Sequence, residues 1–347
     1  MGDRLGGAGF KVGVVLFSVS ELGMGAGVGG GEIGGMVVFD AQAVREHLSY
    51  DVAIPVVREA MLALSDGRVR QLLRSFIGMG EGRTFAIMPA ALSNDGVFGA
   101  KLVSVFADGA GRKAHEGLVV LFDAETGAPV CLADAGEITA IRTAAASAVA
   151  ADALAGPGAS VLAVLGLGKQ AAAHIQALSK VRDLHEVRVW GRSMQNAEAF
   201  AAEMTAATGL RISAAASVAA ATQDAEIVCT VTAAADPILT LASVAPGAHV
   251  NAVGSSGPGQ AEIASDLVAA SRFIVDHREH VLAHGGEFLR AKAAGMVGDD
   301  HIAGEIGAVL SGALAGRTGP DEITLYKSLG HAAQDLAAAA WLHRHAR

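Results

Sequence analysis

The chain is poor in cysteine. Two of its 347 residues are cysteine, Cys131 and Cys229, and they lie far apart without the spacing of a metal site. Both lie in apolar stretches, so we interpret them as small core residues of a protein in a reducing compartment, and we expect a cytoplasmic location. The sequence also has no cluster of cysteine and histidine at ligand spacing and therefore predicts no metal requirement.

Long hydrophobic runs and blocks of basic residues are missing too. Hydrophobic residues make up 52% of the chain and the mean hydropathy is +0.41. No run of about eighteen apolar residues occurs, however, so we expect no membrane span. Lys and Arg number 26 against 35 Asp and Glu, which gives a net charge of −9. This acidic balance argues against a nucleic-acid partner.

Glycine, in contrast, is abundant, with 44 residues, and 13 of these fall within residues 1–35. This stretch lacks the strong basic start and the small-residue cleavage site of a signal peptide. We interpret residues 1–35 as a flexible or mis-assigned N-terminal extension, with Met36 as a candidate for the true start.

A glycine turn follows an apolar strand in the middle of the chain. Residues 161–165 form the predicted strand, and the next residues run directly into a predicted helix: Gly166, Leu167, Gly168, Lys169, Gln170, Ala171. The strand, the G-x-G-x-x-A turn and the helix together predict a site where backbone N–H groups bind the pyrophosphate of a dinucleotide.

The end of the next predicted strand indicates which dinucleotide is bound. Residues 186–190 lead into Gly191, Arg192 and Ser193. An NAD site usually has an acid at this point to bind the ribose 2′-hydroxyl, whereas an arginine suits the 2′-phosphate of NADP. We therefore expect NADP(H) to be preferred and NAD(H) to be possible. The alternative is that Arg192 is an ordinary solvated surface residue.

The pattern of predicted elements divides the remaining chain in two. Before the break at Gly156-Pro157-Gly158, residues 39–65 show helical periodicity, strand candidates have hairpin-type connections, and an alanine-rich helix is predicted over 139–154. After it, strands and helices alternate as in a doubly wound sheet. The predicted strands are 84–88, 99–106, 117–123 and 129–134 before the break, and 161–165, 187–190, 211–214, 227–232, 249–253 and 273–276 after it. A last strand (322–328) and helix (330–345) are expected to fold back on the first unit.

This pattern predicts an α/β protein with a Rossmann dinucleotide-binding domain over residues 156–319. The second domain, of α+β type, would be built from residues 36–155 and 320–347.

Three cations lie in apolar surroundings. Lys101 shares a strand face with Val103 and Val105, which suits either a guard on an edge strand or a site residue with a shifted pKa. Arg142 is a lone charge near the predicted start of the alanine-rich helix and should face an anion. Arg74 also has apolar neighbours, although an exposed loop arginine is the simpler interpretation.

Several motifs, in order, resemble those of the ornithine cyclodeaminase/mu-crystallin family. The resemblance covers residue 37 to the C-terminus and rests on five stretches: Glu137-Ile-Thr139-Ala-Ile-Arg142-Thr143-Ala-Ala-Ala-Ser147, Gly166-Leu-Gly168-Lys-Gln170, Pro246-Gly247-Ala-His249-Val-Asn251-Ala-Val-Gly254, Glu305-Ile306-Gly307 and Lys327-Ser328-Leu329-Gly330.

The resemblance implies a homodimer that pairs through the β-rich domain, and chemistry on α-amino or α-imino acids. Arg74, Lys101 and Arg142 match the positions that hold the substrate carboxylate and the reacting carbon–nitrogen group. A bidentate arginine suits a carboxylate, and a nearby cation stabilises charge in the transition state. The expected cofactor contacts are Arg142, Thr143, Gly166, Leu167, Gly168, Lys169, Gln170, Arg192, Ser193, Thr232, Val253, Gly254, Lys327, Ser328, Leu329 and Gly330.

One departure bears on the reaction. Cyclodeaminases that resemble this chain have an Asp in the loop after the Asn251 strand, and Ser256 occupies that place here. A serine keeps its proton at neutral pH and cannot serve as a carboxylate base. Ketimine reductases like mu-crystallin also have a Ser there, so we assign Ser256 a role in a reductase, unless a neighbouring acid replaces the missing Asp.

The predicted function is therefore an NAD(P)H-dependent reductase of cyclic ketimine acids, such as Δ1-pyrroline-2-carboxylate to L-proline. The alternatives are an ornithine cyclodeaminase that releases ammonia and regenerates NAD, an L-alanine or other amino-acid dehydrogenase, and a non-catalytic protein that binds NADPH and a small ligand.

Overall fold

The computed structural model describes residues 30–33, 35–106 and 115–346. In that part of the chain, two eight-stranded sheets form the framework of two domains. The strands of the first sheet are β1 (Gly30–Ile33), β2 (Met36–Phe39), β3 (Val69–Gln71), β4 (Ser75–Gly78), β5 (Arg83–Leu92), β6 (Val97–Phe106), β7 (His115–Asp123) and β8 (Pro129–Asp134). The helices of this domain are α1 (Ala41–His47), α2 (Tyr50–Ser65), α3 (Ala135–Leu154) and the C-terminal α11 (Ala332–His345).

The first sheet is mainly antiparallel, in the order β1-β2-β8-β7-β6-β5-β3, with β4 also paired to β5. Its alternating pattern buries one face against α3 and α11. Lys101 lies on this inner face in β6, directly opposite Met88 and Val119 of the neighbouring strands. The other face is apolar but partly exposed, with Phe98 39% and Leu118 46% accessible.

The second sheet is wholly parallel, as a doubly wound dinucleotide domain requires. Its strands are β9 (Val161–Leu165), β10 (Glu186–Trp190), β11 (Ile212–Ala214), β12 (Ile227–Thr230), β13 (His249–Ala252), β14 (Arg272–Val275), β15 (Ile302–Glu305) and β16 (Thr324–Lys327), in the order β11-β10-β9-β12-β13-β16-β14-β15. The helices between them are α4 (Lys169–Leu178), α5 (Met194–Thr208), α6 (Val218–Thr222), α7 (Ser265–Ala270), α8 (Arg278–His284), α9 (Gly286–Ala293) and α10 (Ile306–Leu310).

The predicted fold class is confirmed, and several boundaries differ. The helical stretch 39–65 is two helices, because Leu48 ends α1 and Ser49 begins α2 as its N-cap. Helix α3 begins at Ala135 rather than at 139, with the Asp134 side chain accepting from the Glu137 N–H. Arg142 therefore lies in the middle of this helix and not at its first turn.

Two assignments of larger segments also need correction. Residues 1–29 lie outside the described residues, but Gly30–Ile33 of the supposed extension pair with Met36–Phe39 as a hairpin. The boundary predicted at residue 320 separates elements that belong together, because β16 pairs with β13 and β14 inside the second sheet. After β16 the chain adds α11 to the first domain, where this helix packs on α2 and α3.

None of the described helices is long and apolar enough to cross a membrane.

Candidate functional site

The carboxyl ends of the parallel strands place the predicted motifs along one edge of the second sheet. The glycine turn follows β9, Thr232 lies just beyond β12, Gly254 just beyond β13, and residues 328–330 follow β16. In doubly wound folds a ligand binds outside the carboxyl ends of the strands. Motifs from distant parts of the chain therefore meet where a dinucleotide is expected.

The glycine turn has the geometry of a dinucleotide site. Gly166 has a φ of +130°, and a Cβ at this position would lie 2.8 Å from the Val231 carbonyl oxygen. Gly168 is the N-cap of α4, and a Cβ there would meet no atom within 4 Å. Open space therefore lies before the helix N-terminus, where the helix dipole favours an anion.

Polar side chains around the turn are only partly engaged. Lys169 forms an ion pair with Glu137 of α3, with Nζ and Oε2 2.7 Å apart. Gln170 has a buried side-chain oxygen without a hydrogen-bond partner among the described residues. Arg192 is exposed after β10, and Ser193 caps α5 by accepting from the Asn196 N–H at 3.3 Å. A role for Arg192 and Ser193 at a 2′-phosphate stays a prediction.

Lys101 is a buried cation and not an edge guard, because β6 lies inside the sheet between β5 and β7. Its side chain is 5% exposed. The ammonium donates to the Thr139 hydroxyl at 2.6 Å and lies 3.2 Å from Asp335 Oδ1. Burial is the main reason that the pKa of Lys101 falls to about 8; the charge of Asp335 opposes the shift and that of Arg142 adds to it.

Arg142 meets the anion that its lone charge predicted. Its Nε lies 2.9 Å from the same Asp335 oxygen that pairs with Lys101, and its Nη1 donates to Gln334 Oε1 at 3.0 Å. The guanidinium packs against Gly330, whose φ is +74°, so closely that a Cβ there would lie 2.2 Å from Nη1. Glycine is thus needed at this turn for conformation and for space.

Arg74 reaches the same turn from the loop before β4. Its Nη2 donates to the carbonyl oxygens of Leu329 and Gly330 at 2.6 and 2.7 Å. The backbone N–H groups of these two residues donate to Asp276 Oδ2 at 2.7 and 2.6 Å. Arg74 and Arg142 therefore both contact the Gly330 turn, and the simpler interpretation of Arg74 as an exposed loop residue is wrong.

Asp335 is the central residue that the sequence interpretation missed. It lies in the first turn of α11 and links Lys101 to Arg142 through a single oxygen. A lone acid in an alanine-rich helix is the same signal that singled out Arg142. The residue could have been found by asking which buried cation its charge must meet.

A second buried network fixes the backbone beside the predicted Ser256. Lys327 Nζ donates to the Ser255 carbonyl and hydroxyl at 2.8 and 2.9 Å and pairs with Glu287 Oε2 at 2.9 Å. Glu262 accepts from the Gly254 N–H at 2.6 Å and from the Thr232 N–H and hydroxyl at 2.6 and 2.7 Å. The loop is therefore held from both sides by buried carboxylates.

The remaining predicted residues are placed as follows. The Lys327 ammonium is occupied by this network, and Thr232 is bound to Glu262, so their side chains support the loop at the cofactor edge. Ser256 itself is exposed, and no hydrogen bond found in the described structure joins it to Lys101, Arg74 or Arg142. Its catalytic role stays a prediction, as do the cofactor contacts of Thr143, Leu167, Val253, Ser328 and Leu329.

No group of three or more metal-binding side chains occurs within the described ranges. Two arginines, one buried lysine and one shared carboxylate are grouped near the carboxyl ends of the parallel strands. This arrangement can bind a carboxylate and transfer a proton to an adjacent nitrogen.

Comparison with known proteins gives a consistent result. Residues 36–347 match the ornithine cyclodeaminase/mu-crystallin family. The ketimine reductase mu-crystallin of Mus musculus is 37% identical over 307 residues, which cover 86% of this chain and 94% of that protein. These values extend the motif resemblance to almost the whole length of both proteins.

Solved structures show the same fold. The Δ1-pyrroline-2-carboxylate reductase of Thermococcus litoralis, in complex with NADH and L-proline, superposes with a TM-score of 0.86 at 30% identity, covering 89% of this chain and 97% of that one. An archaeal alanine dehydrogenase dimer with bound NAD gives a TM-score of 0.84 at 29% identity, over 90% and 96% of the two chains.

Proposed function

The chain belongs to the ornithine cyclodeaminase/mu-crystallin family, and from this premise we propose that it is an NAD(P)H-dependent reductase of cyclic ketimine acids, such as Δ1-pyrroline-2-carboxylate, which it converts to L-proline. The observation that carries the proposal is the buried Lys101 ammonium, which shares Asp335 with Arg142. The relatives named above as ketimine and pyrroline-carboxylate reductases support this assignment.

The residues at the sheet edge fit a nicotinamide dinucleotide. Gly166 lets the turn pack closely against Val231, and Gly168 leaves open space before the N-terminus of α4. The backbone N–H groups at this helix N-terminus would hold the pyrophosphate, with Arg192 and Ser193 near the adenosine ribose. When bound, the reduced nicotinamide supplies a hydride for the imine carbon.

The two arginines are suited to anchor the substrate carboxylate. Arg142 and Arg74 both reach the Gly330 turn, Arg142 by packing on it and Arg74 by donating to its carbonyl oxygens. A carboxylate placed between them can accept charge-assisted hydrogen bonds from either guanidinium. Arg74 Nε is buried and has no partner in the described structure, so this donor is free for a ligand.

Lys101 supplies the proton for the reduction. Conversion of a C=N bond into CH–NH adds one hydride to the carbon and one proton to the nitrogen. A pKa of about 8 leaves the ammonium mostly protonated at neutral pH and far easier to deprotonate than an ordinary lysine. Thr139 and Asp335 fix the position of Nζ, so that the proton can be directed to one atom.

A direct assay tests this function. We would follow oxidation of NADPH and of NADH in parallel with five- and six-membered cyclic imino acids, and with pyruvate plus ammonia as the alanine dehydrogenase reaction. We expect turnover with at least one cyclic imino acid and little with pyruvate and ammonia. Turnover with pyruvate and ammonia alone would instead assign the enzyme as an amino-acid dehydrogenase.

Ornithine cyclodeaminase is the second candidate, and one observation favours it. Asp335 Oδ2 is buried without a partner in the described structure. Asp335 could therefore serve as the acid that cyclodeaminases have at the position of Ser256. Incubation with ornithine and catalytic NAD separates the two functions. Proline and ammonia formed without net cofactor consumption, at a rate comparable to imine reduction, would rule out a plain reductase.

We further propose a preference for NADPH and a homodimer that pairs through the exposed apolar face of the first sheet. The NADPH preference rests on Arg192 and the absence of an acid at the end of β10.

The dimer proposal rests on a face where Leu118 lies opposite Leu102, and Phe98 stacks on Phe122 at 5.3 Å between ring centroids. An apolar sheet face of this kind marks an interaction surface.

A further inference from the structure

His331 is a buried polar residue beside Arg74 and Arg142, and both nitrogens of its ring are unpaired in the described structure. It follows Gly330 and is the N-cap of α11, and its side chain is fully buried. Neither ring nitrogen has a hydrogen-bond partner among the described residues. Burial first, and then the charges of His280 and Arg142, hold its pKa well below the usual range. The ring is thus neutral at neutral pH and has one N–H donor and one acceptor nitrogen.

His331 belongs to a group of polar residues at the start of α11. His331 is the N-cap and Gln334 and Asp335 lie in the first turn, and the Gln334 N–H donates to the His331 carbonyl oxygen at 3.1 Å, so the three residues are grouped at the start of the helix. Arg142 donates to Gln334 Oε1, which orients the amide and leaves Nε2 as a buried donor without a partner. Lys101 and Arg142 share Asp335 Oδ1, which leaves Oδ2 as a buried acceptor without a partner.

These unpaired donors and acceptors indicate which chemical group could form hydrogen bonds with them. Leaving a buried polar atom unpaired costs free energy, so a natural ligand that enters the site should pair with it. A second carboxylate accepts but cannot donate, and it would lie near the like charge of Asp335. The ring carbons of an unsubstituted substrate pair with none of these atoms. A hydroxyl group both donates and accepts, and it is neutral.

We propose that His331 and Gln334 form a subsite for a hydroxyl group on the imino acid, in addition to the arginines that hold its carboxylate. This inference rests on the proposed function and narrows its substrate class to hydroxylated cyclic imino acids and the corresponding amino acids. We call His331 and Gln334 the hydroxyl subsite.

Binding of the amino-acid products tests the hydroxyl subsite with closely matched probes. We would measure, by calorimetry with saturating NADP+, the dissociation constants of L-proline, cis- and trans-4-hydroxy-L-proline and trans-3-hydroxy-L-proline. At least one hydroxyproline should bind about tenfold or more tightly than L-proline, because two buried hydrogen bonds are added. Equal or weaker binding of all three would overturn the proposal, as would tightest binding of cis-pyrrolidine-2,5-dicarboxylate.

Variants at position 331 check that the histidine is responsible. His331→Leu should remove the preference for the hydroxyproline, while His331→Asn, which keeps a donor and an acceptor, should retain part of it. The ratio of the dissociation constants of L-proline and the preferred hydroxyproline measures this preference. An unchanged ratio in a folded His331→Leu protein would overturn the assignment. If the leucine variant does not fold, the ratios of the wild-type protein and of His331→Asn decide.

The proposed function is tested separately by turnover of Δ1-pyrroline-2-carboxylate with NADPH. Turnover without any preference for hydroxylated compounds would contradict the hydroxyl subsite but support the proposed reductase function. Absence of turnover with any cyclic imino acid, hydroxylated or not, would contradict the proposed reductase function.

Discussion

Lys101 combines deep burial with two polar partners, Thr139 and Asp335, and this makes it the residue on which catalysis should depend most. Replacing it with Ala removes the proton donor and the cation beside the reacting nitrogen. We expect kcat for imine reduction to fall about a hundredfold or more, the effect of losing one electrostatic stabiliser. Lys101→Arg should not restore the rate, because a planar guanidinium differs in shape from an ammonium and does not release its proton. Steady-state kinetics of both variants, with folding checked by thermal melting, would show this.

The pH dependence of the reaction should report the same lysine. Only the protonated ammonium can donate, and its pKa is about 8, so kcat/KM should be constant below that pH and decline above it. The matched control is Lys101→Ala, whose small residual activity should lack this decline. A wild-type profile that instead rises through pH 8 would identify neutral Lys101 as the active form and contradict its role as a proton donor.

Arg192 tests whether cofactor preference can be inferred from a single exposed residue. Arg192→Ala should raise the KM for NADPH about tenfold to a hundredfold, since one charge-assisted contact to the 2′-phosphate is lost, and should leave the KM for NADH nearly unchanged. Ser193 is bound as the cap of α5 and would remain in place. Equal changes for both cofactors would show that Arg192 does not contact the 2′-phosphate.

Among the structural elements, the turn between β16 and α11 connects the two domains at the site. Gly330→Ala would place a Cβ against the Arg142 guanidinium in a backbone conformation that L residues rarely adopt. We expect the KM for the imino acid to rise about tenfold or more because Arg142 must move. Gly312→Ala is the matched control, since Gly312 also has a positive φ, of +79°, but an added Cβ meets nothing within 4 Å. The control should lower the melting temperature and leave KM unchanged.

The elements that the sequence predicts well are those whose signal is local. The strand, glycine turn and helix at 161–178 are specified by adjacent residues, and so is the isolated Arg142. The position of β16 is not, because its pairing with β13 and β14 depends on strands far away in the chain. The partnership of Lys101 with Asp335 joins residues 234 positions apart, and neither spacing nor periodicity contains that information. The role of Ser256 rests on the family resemblance alone, because the side chain is exposed and no local pattern marks it.

At the scale of the whole molecule, the two faces of the first sheet have different roles. One face packs on helices around the site, and the other is partly exposed to solvent. The inner face holds Lys101 against α3 and α11, so the site is built from both ends of the chain within one subunit. The outer face is mostly apolar, as in the cross-strand pairs Ala100–Val120 and Phe98–Phe122, and has the polar pair Ser104–Glu116 toward one end. Such a face is expected to be covered in solution.

Dimerisation through this outer face can be tested with one buried charge. In a dimer Leu118, 46% exposed in the single chain, would lie in the interface, so Leu118→Glu would bury an unpaired carboxylate there. We expect the wild-type protein to sediment as a dimer at micromolar concentration and Leu118→Glu to shift toward the monomer. The matched control is Met296→Glu, since Met296 is similarly exposed, at 48%, but lies in the second domain. The control should remain a dimer because its carboxylate stays in water. A wild-type monomer at micromolar concentration, or equal dissociation of both variants, would exclude pairing through the first sheet.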